Sequence, residues 1–282
     1  MEHTGTHFHE QLDQLAERIL RLGGLAEEAI GRSVRALVDR DPELARQVIA
    51  GDAAIDEVEL EIDSMCIELL ARNQPLAGDL RFITTAMKIT PDLERIADHA
   101  VNIGERVLEL IEEPPLRALV DLPQMALSAQ AMVHGALDAF VRRDAAAAWR
   151  VIRMDDELDR RMEQVFRVLL SHMMEDPRTI SRALRMTFVA KYFERIGDQA
   201  TNICEQIVYM AEARVIKHRM VEDLPDGQGW ANDTVTAITH AGTHVDAPSH
   251  FDARPGALTV DQMPLANFYT EAVCLDLSHM PL

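Results

Sequence analysis

Cysteine is scarce in this chain, which holds three in 282 residues, at widely separated positions. Their spacing argues against a disulfide framework and fits a reducing compartment. Long apolar runs are absent as well: no stretch approaches 18 apolar residues, so no transmembrane helix is expected. The first ten residues lack a basic segment followed by an apolar one, so no signal peptide is expected. These absences predict a cytoplasmic protein.

Basic residues are also in short supply, with 28 against 47 acids and a net charge of −19. Such a field repels phosphate backbones, so no nucleic-acid partner is expected. It favours cations, basic partner surfaces or solubility alone. Hydrophobic residues make up 48% and charged residues 27% of the chain, which excludes disorder along its whole length.

Apolar residues recur with a period near 3.5 over the first 219 residues, which is typical of helices. The first stripe contains Phe8, Leu12, Leu15, Ile19 and Leu22. The second recurs every seven residues at Val48, Ile55, Ile62 and Leu69. The third contains Leu80, Ile83, Met87, Leu93, Ile96, Ala100 and Ile103, with Pro91 as a kink or a turn. Three more helices are predicted after Pro114-Pro115, at about 123–143, 145–175 and 176–217.

A ten-residue motif occurs twice, 100 residues apart. It reads Glu-Arg-Ile-Ala-Asp-His-Ala-Val-Asn-Ile at 94–103 and Glu-Arg-Ile-Gly-Asp-Gln-Ala-Thr-Asn-Ile at 194–203, with seven of ten positions identical. Upstream, Asp-x-x-Ile-Asp at 52–56 is echoed 103 residues later by Asp-x-x-Leu-Asp at 155–159. A repeat of this length is a duplicated domain. Because three helices can bury a bundle core, we predict an all-α fold of two tandem three-helix bundles, at 1–115 and 116–219.

The repeated motif places two carboxylates one turn apart on the same helix face, where they repel by a few tenths of a kcal/mol. A hard cation would remove this repulsion, and all-oxygen ligation favours Mg²⁺, Mn²⁺, iron or Ca²⁺ over zinc. The eight candidate ligands are two such pairs in each repeat: Asp52, Asp56, Glu94, Asp98, Asp155, Asp159, Glu194 and Asp198. The alternative is a solvated acidic face paired with arginines. Arg95 and Arg195 are either structural partners of the acids or contacts to a partner or phosphate.

The chain from residue 8 to about 219 resembles the PhoU phosphate-signalling proteins. The resemblance rests on Asp-x-x-Ile-Asp at 52–56, on Gln-Pro-x-x-x-Asp-Leu-Arg at 74–81 and on the doubled motif. It implies two three-helix bundles related by pseudo-symmetry. It also implies metal clusters of Mn, Mg or Fe on the Glu and Asp of each motif, with the four upstream aspartates as further ligands.

The same resemblance implies a function without catalysis. Members of the family act in the cytoplasm as negative regulators of phosphate uptake and of the phosphate-starvation response. They link the ATPase of the phosphate ABC transporter to a sensor histidine kinase. A homodimer is expected, with peripheral association at the inner membrane face.

Residues 220–282 differ in character, with nine acids, one base and no helical period. Short strands are predicted at 234–238 and 272–277. Between them stand three histidines and an aspartate within eleven residues: His240, His244, Asp246 and His250. Such a density of ligands is typical of a zinc or manganese site, whereas the alternative is a surface loop with chance histidines.

This tail, from about 226 to 282, resembles the cyclase family that includes kynurenine formamidase, a metal-dependent amide hydrolase. The resemblance implies that His240, His244 and Asp246 bind metal and that His250 is a further ligand or the acid/base group. Members of that family have a much longer domain, so the tail is expected to be a truncated fragment, either a genuine fusion or a gene-assembly artefact. The alternative function is therefore a metal-dependent amide hydrolase with a PhoU-like regulatory domain.

Overall fold

The computed structural model describes residues 2–116 and 121–216. In chain order the elements are α1 (Glu2–Asp39), α2 (Pro42–Arg72), α3 (Ala77–Ile111), α4 (Leu122–Arg142), α5 (Ala145–Ile152), α6 (Asp155–Glu175), a 3₁₀ turn (Pro177–Thr179) and α7 (Ile180–Glu212). Helices α1 to α3 pack together as one bundle and α4 to α7 as a second. The described residues confirm the all-α fold of two tandem bundles. The predicted strands at 234–238 and 272–277 lie outside them, and the proposed domain boundaries stay a prediction.

Aspartate side chains cap the starts of α2, α4 and α5, whereas α3, α6 and α7 begin without a side-chain cap. Asp41 accepts hydrogen bonds from the backbone amides of Glu43 and Leu44, with Pro42 at the first helical position of α2. Asp144 accepts one from the amide of Ala147 at the start of α5. These bonds satisfy amides that have no partner inside the helix, so the local sequence determines the helix starts.

The apolar stripes form the core, with two exceptions. The every-seventh residues of α2 are all buried, and Leu12, Leu15, Ile19 and Leu22 of α1 are 5% exposed or less. On α3, however, Leu80 is 41% and Met87 is 36% exposed, so these two members of the apolar stripe lie outside the core. Met87 lines an open groove beside the C-terminal part of α7. The buried face of α3 is filled instead by Phe82 and Ile89.

One predicted helix is divided in two. The helix expected over 145–175 is interrupted at Arg153 and Met154, where the amide of Met154 bonds to the carbonyl of Val151 at 2.9 Å. This three-residue spacing is tighter than that of an α-helix. Helix α6 then starts afresh with acidic residues at 155–157, which a helix N-terminus favours electrostatically.

The two repeats differ in one connection. Four residues, 73–76, join α2 to α3, whereas Asp176 alone separates α6 from the 3₁₀ turn that continues into α7. The second repeat therefore has three fewer residues at this point. This difference explains why the upstream aspartate motif recurs after 103 residues and the ten-residue motif after 100.

Helices α3 and α7 pair antiparallel and join the two bundles. Near the C-terminal end of α3, Glu109 accepts a hydrogen bond of 2.8 Å from Arg185 of α7, which also binds Glu113. At the opposite end, Arg81 donates to the carbonyl of Met210 at 3.3 Å. The two copies of the motif therefore cross near the middle of the pair.

Candidate functional site: two carboxylate clusters

The first cluster lies between α2 and α3. Asp56, Glu59 and Glu94 each offer a carboxylate oxygen, and these three oxygens lie within 4.8 Å of one another. Asp52 and Asp98 belong to the same group, because Asp98 raises the pKa of both Asp52 and Glu94. The structure thus brings together all four residues predicted for this repeat.

Glu59 was not predicted from the sequence. The prediction considered only pairs four residues apart, whereas Glu59 follows Asp56 by three. A step of three also keeps two side chains on one helix face. The signal was present as an acidic stripe on α2 formed by Asp52, Asp56, Glu59 and Asp63.

Without a cation, ionisation of the acids in the first cluster is unfavourable. The pKa of Glu94 is raised to about 7, first by burial and then by Asp98 and Glu59. Burial, Asp56 and Asp98 raise the pKa of Asp52. Burial and like charge both penalise the ionised form of a carboxyl group, and a cation would reverse the second effect.

The second cluster contains the four residues predicted for the other repeat: Asp155, Asp159, Glu194 and Asp198. The pKa of Asp155 is raised to about 7, by burial and then by the charges of Asp159, Asp198 and Glu194. Burial and Glu194 raise the pKa of Asp198 to about 6. The four carboxyl groups therefore lie close enough to influence one another.

Two oxygens of the second cluster lack a hydrogen-bond partner. They are Oδ1 of Asp155 and Oε2 of Glu194, and both are buried. A buried acceptor without a partner is destabilising unless a proton or a cation satisfies it. Both clusters consist of carboxylates alone, which suits Mg²⁺, Mn²⁺, iron or Ca²⁺. The residues present therefore fit a bound hard cation.

Basic side chains lie near both clusters. Some of the acids are therefore paired with basic residues, as the alternative interpretation of the sequence expected. Arg195 lies 3.2 Å from a carboxylate oxygen of Asp198, and Lys191 forms an ion pair with Glu194. In the first repeat, Arg95 forms its ion pair with Asp92, at 3.5 Å, and its charge offsets part of the rise in the pKa of Glu59 that burial and neighbouring acids cause.

A ring pair that the sequence did not indicate connects the first copy of the motif to a residue just before the second copy. His99 of α3 stacks on Tyr192 of α7, with ring centroids 5.9 Å apart and an interplanar angle of 25°. Because His99 follows Asp98 and Tyr192 precedes Glu194, this contact joins the two clusters across the antiparallel pair.

The remaining predicted site lies outside the described residues. It comprises His240, His244, Asp246 and His250. Within 2–116 and 121–216, no helix is long and apolar enough to cross a membrane.

Comparison with known families gives two matches. The family model described as "PhoU domain" matches residues 19–107 and 122–207. A model described as "Putative cyclase" matches residues 168–281, which includes the tail but begins well before residue 226. Residues 168–207 belong to both matches, and the structure has them in α6, the 3₁₀ turn and α7.

Curated relatives and solved structures agree with the first match. The "Phosphate-specific transport system accessory protein PhoU homolog" of Pseudomonas aeruginosa is 39% identical over 232 residues, covering 80% of this chain and 96% of that protein. The PhoU accessory protein of Escherichia coli K12 is 35% identical over 217 residues, covering 77% of this chain and 90% of that protein.

Crystal structures share the fold. PhoU from Pseudomonas aeruginosa superimposes with a TM-score of 0.71 at 40% identity, covering 73% of this chain and all of that one. The regulatory protein PhoU from Streptococcus pneumoniae gives 0.68 at 29% identity, covering 74% of this chain and 98% of that one. Doubled carboxylate motifs, two bundles and relatives matched over almost their whole length show that this chain belongs to the PhoU family.

Proposed function

We propose that the chain is an accessory protein of phosphate transport that restrains phosphate uptake and the phosphate-starvation response. The observation that carries this proposal is the match to curated relatives named as phosphate-specific transport system accessory proteins over 90% or more of their length. The role is regulatory and not enzymatic, and it is exerted in the cytoplasm.

We further propose that both carboxylate clusters bind a hard metal ion, Mn²⁺, Mg²⁺ or iron. Support comes from three carboxylate oxygens within 4.8 Å in the first cluster and from the unpartnered buried oxygens in the second. A bound ion supplies positive charge between two helices of one bundle, whose acids otherwise repel. The carboxylates would then hold α2 against α3 and α6 against α7.

The proposed partners are the ATPase of the phosphate ABC transporter and a sensor histidine kinase, with a homodimer as the assembled form. The protein would act peripherally at the inner membrane face.

The regulatory role is tested by complementation. In a host lacking its own PhoU-type regulator, the full chain should restore repression of the phosphate-starvation response at high phosphate. A well-expressed, folded chain that leaves the response derepressed would contradict the proposal.

Metal binding is tested separately, on protein stripped with a chelator. Mn²⁺ at a hundredfold excess over its dissociation constant should stabilise the fold by about 2.7 kcal/mol. Four substitutions together, Glu94→Gln, Asp98→Asn, Glu194→Gln and Asp198→Asn, should abolish the rise in melting temperature.

The matched control makes the same four charge changes at exposed acids away from the clusters: Asp13→Asn, Glu17→Gln, Asp138→Asn and Glu163→Gln. This variant should retain the response to Mn²⁺. An equal response from both quadruple variants would show that the ion binds elsewhere.

The second candidate function is a metal-dependent amide hydrolase, favoured by the putative cyclase match over 168–281. We expect no hydrolysis of N-formylkynurenine by the full chain with added Zn²⁺ or Mn²⁺. Turnover that disappears in His244→Ala would favour the hydrolase instead.

A further inference from the structure

The two clusters are not chemically equivalent, and the repeat register shows where they differ. With the offset of 103, Glu59 of the first cluster corresponds to Met162. With the offset of 100, Lys191 beside the second cluster corresponds to Pro91. Relative to the first cluster, the second lacks the carboxylate of Glu59 and has the ammonium group of Lys191. Its further acid, Asp156 in place of Ala53, is exposed at the rim beside Asp155 and Asp159.

Lys191 lies among the acids of the second cluster. Its ammonium group forms an ion pair with Glu194, whose side chain is 14% exposed, while the lysine side chain is 41% exposed. Burial and Glu194 raise the pKa of Asp159 and of Asp198, and the charge of Lys191 offsets part of this rise. One lysine therefore interacts with three of the four carboxylates that would hold a metal ion.

The geometry of the carboxylates also favours metal binding at the first cluster. Among the described residues, the one group of three possible metal ligands with converging atoms is Asp56, Glu59 and Glu94. A cation entering the first cluster meets oxygens that already converge, and the nearby Arg95 forms its ion pair with Asp92 instead of with a carboxylate of the cluster. A cation entering the second cluster has to displace an ammonium group from Glu194.

We propose that Lys191 is an internal counter-ion that occupies the second cluster in place of metal, so that the first cluster loads first. This inference rests on the proposed metal binding and assigns different affinities to its two sites. Binding at the second cluster requires Lys191 to swing out toward solvent, which its partial exposure permits. The cost is one charge-assisted hydrogen bond, equivalent to a loss of about 10- to 100-fold in affinity.

The test is a calorimetric titration of Mn²⁺ into the full chain after treatment with a chelator. Wild type should show a tight and a weak class of site. Lys191→Met should tighten the weak class by about 10- to 100-fold and leave the tight class unchanged. Lys88→Met is the matched control, because Lys88 lies over the ring of Tyr209 and away from both clusters. This control should titrate as wild type does.

Substitutions at a second position that differs between the repeats, Glu59 and Met162, check which cluster is the tight site and which the weak one. Glu59→Met should remove the tight class, and Met162→Glu should strengthen the weak one. Melting temperatures give a second readout: added Mn²⁺ should raise that of Lys191→Met more than that of wild type, because the apo variant has lost its counter-ion.

Two outcomes would overturn the inference while leaving metal binding intact. One is a single class of equivalent sites in wild type, and the other is a weak class that Lys191→Met does not change. Absence of Mn²⁺ binding in wild type and in every variant would refute the proposed metal binding itself, and the inference with it.

Discussion

Gly197, in the second copy of the motif, marks a close approach of α6 to α7. A Cβ atom at this position would lie 2.5 Å from Cδ2 of Leu158 and 3.1 Å from Oδ1 of Asp155. The first copy has Ala97 at the same place, so the second copy is packed more tightly beside its acids. The glycine allows this packing, which places Asp155 near the motif.

Gly197→Ala should therefore destabilise the protein by about 1–3 kcal/mol, the usual cost of overpacking. Gly51→Ala is the control, because Gly51 is exposed in α2 with no atom near its missing Cβ. That change should stabilise the helix by about 0.5–1 kcal/mol. Urea denaturation midpoints measure both, and equal effects would contradict the close contact at Gly197.

The raised pKa values of the acids predict how stability depends on pH. Glu94 and Asp155 have pKa values of about 7, well above their ordinary values of 4.5 and 3.8. The folded state thus holds these protons more tightly than the unfolded state does. The contribution of these protons to the free energy of unfolding is therefore fully present below about pH 4, and it is lost as the pH rises through about 7.

With a chelator present to remove metal ions, the double variant Glu94→Gln, Asp155→Asn should lose less stability than wild type as the pH rises from 5 to 8. Urea midpoints across this range provide the measurement. Saturating Mn²⁺ should reduce the difference, because a cation favours the ionised carboxylates. Parallel pH profiles of wild type and variant in chelator would contradict the assignment.

At the scale of the helices, the pairing of α3 with α7 includes a charged contact near one end. Arg185 of α7 binds Glu109 of α3 and Glu113, two residues beyond the end of α3, and Arg182 lies 3.5 Å from Glu113. Removing Arg185 would leave the negative charges of Glu109 and Glu113 with less positive charge to neutralise them. The contact joins the two bundles, so its loss bears on how they are held together.

Arg185→Met should lower the melting temperature in low salt, and the difference should shrink at about 1 M NaCl, where charges are screened within about 3 Å. Arg167→Met is the control, since Arg167 pairs with Glu163 inside α6 and both side chains are 69% exposed. That substitution should have little effect at either salt concentration. A loss for Arg185→Met that salt does not alter would indicate lost packing instead.

The sequence predicted the helices well because their signal is local. Periods of 3.5 residues and aspartate caps depend on neighbours in the chain, and they located the core of α1 and α2 correctly. The carboxylate pairs of the motif were found for the same reason. The involvement of Glu59 and Lys191 was not, because it depends on how α2 crosses α3 and α6 crosses α7. The exposure of Leu80 and Met87 was not predicted either, because periodicity does not reveal which part of a stripe a neighbouring helix covers.

At the scale of the whole molecule, both repeats contribute to one core, which extends from Leu12 to Ile216 among the described residues. All seven α-helices of the described residues contribute side chains to that core. Within residues 2–116 and 121–216, the helices bury apolar faces against one another.

A chain ending at Arg219 should therefore fold with high helicity and melt cooperatively, and it should repress the phosphate-starvation response as the full chain does. Circular dichroism and a reporter assay at equal expression levels measure this. Repression by the full chain but not by a well-folded truncation would assign a function to residues 220–282.

The antiparallel pairing of α3 with α7 also has a consequence for synthesis of the protein. The two copies of the motif are 100 residues apart, so α3 leaves the ribosome well before the helix it packs against. At roughly 5–20 residues per second, the face of α3 that receives α7 stays uncovered for about 5–20 s. During that interval the nascent chain presents apolar surface that a chaperone can bind, and a ribosome stalled in the second repeat would prolong the exposure.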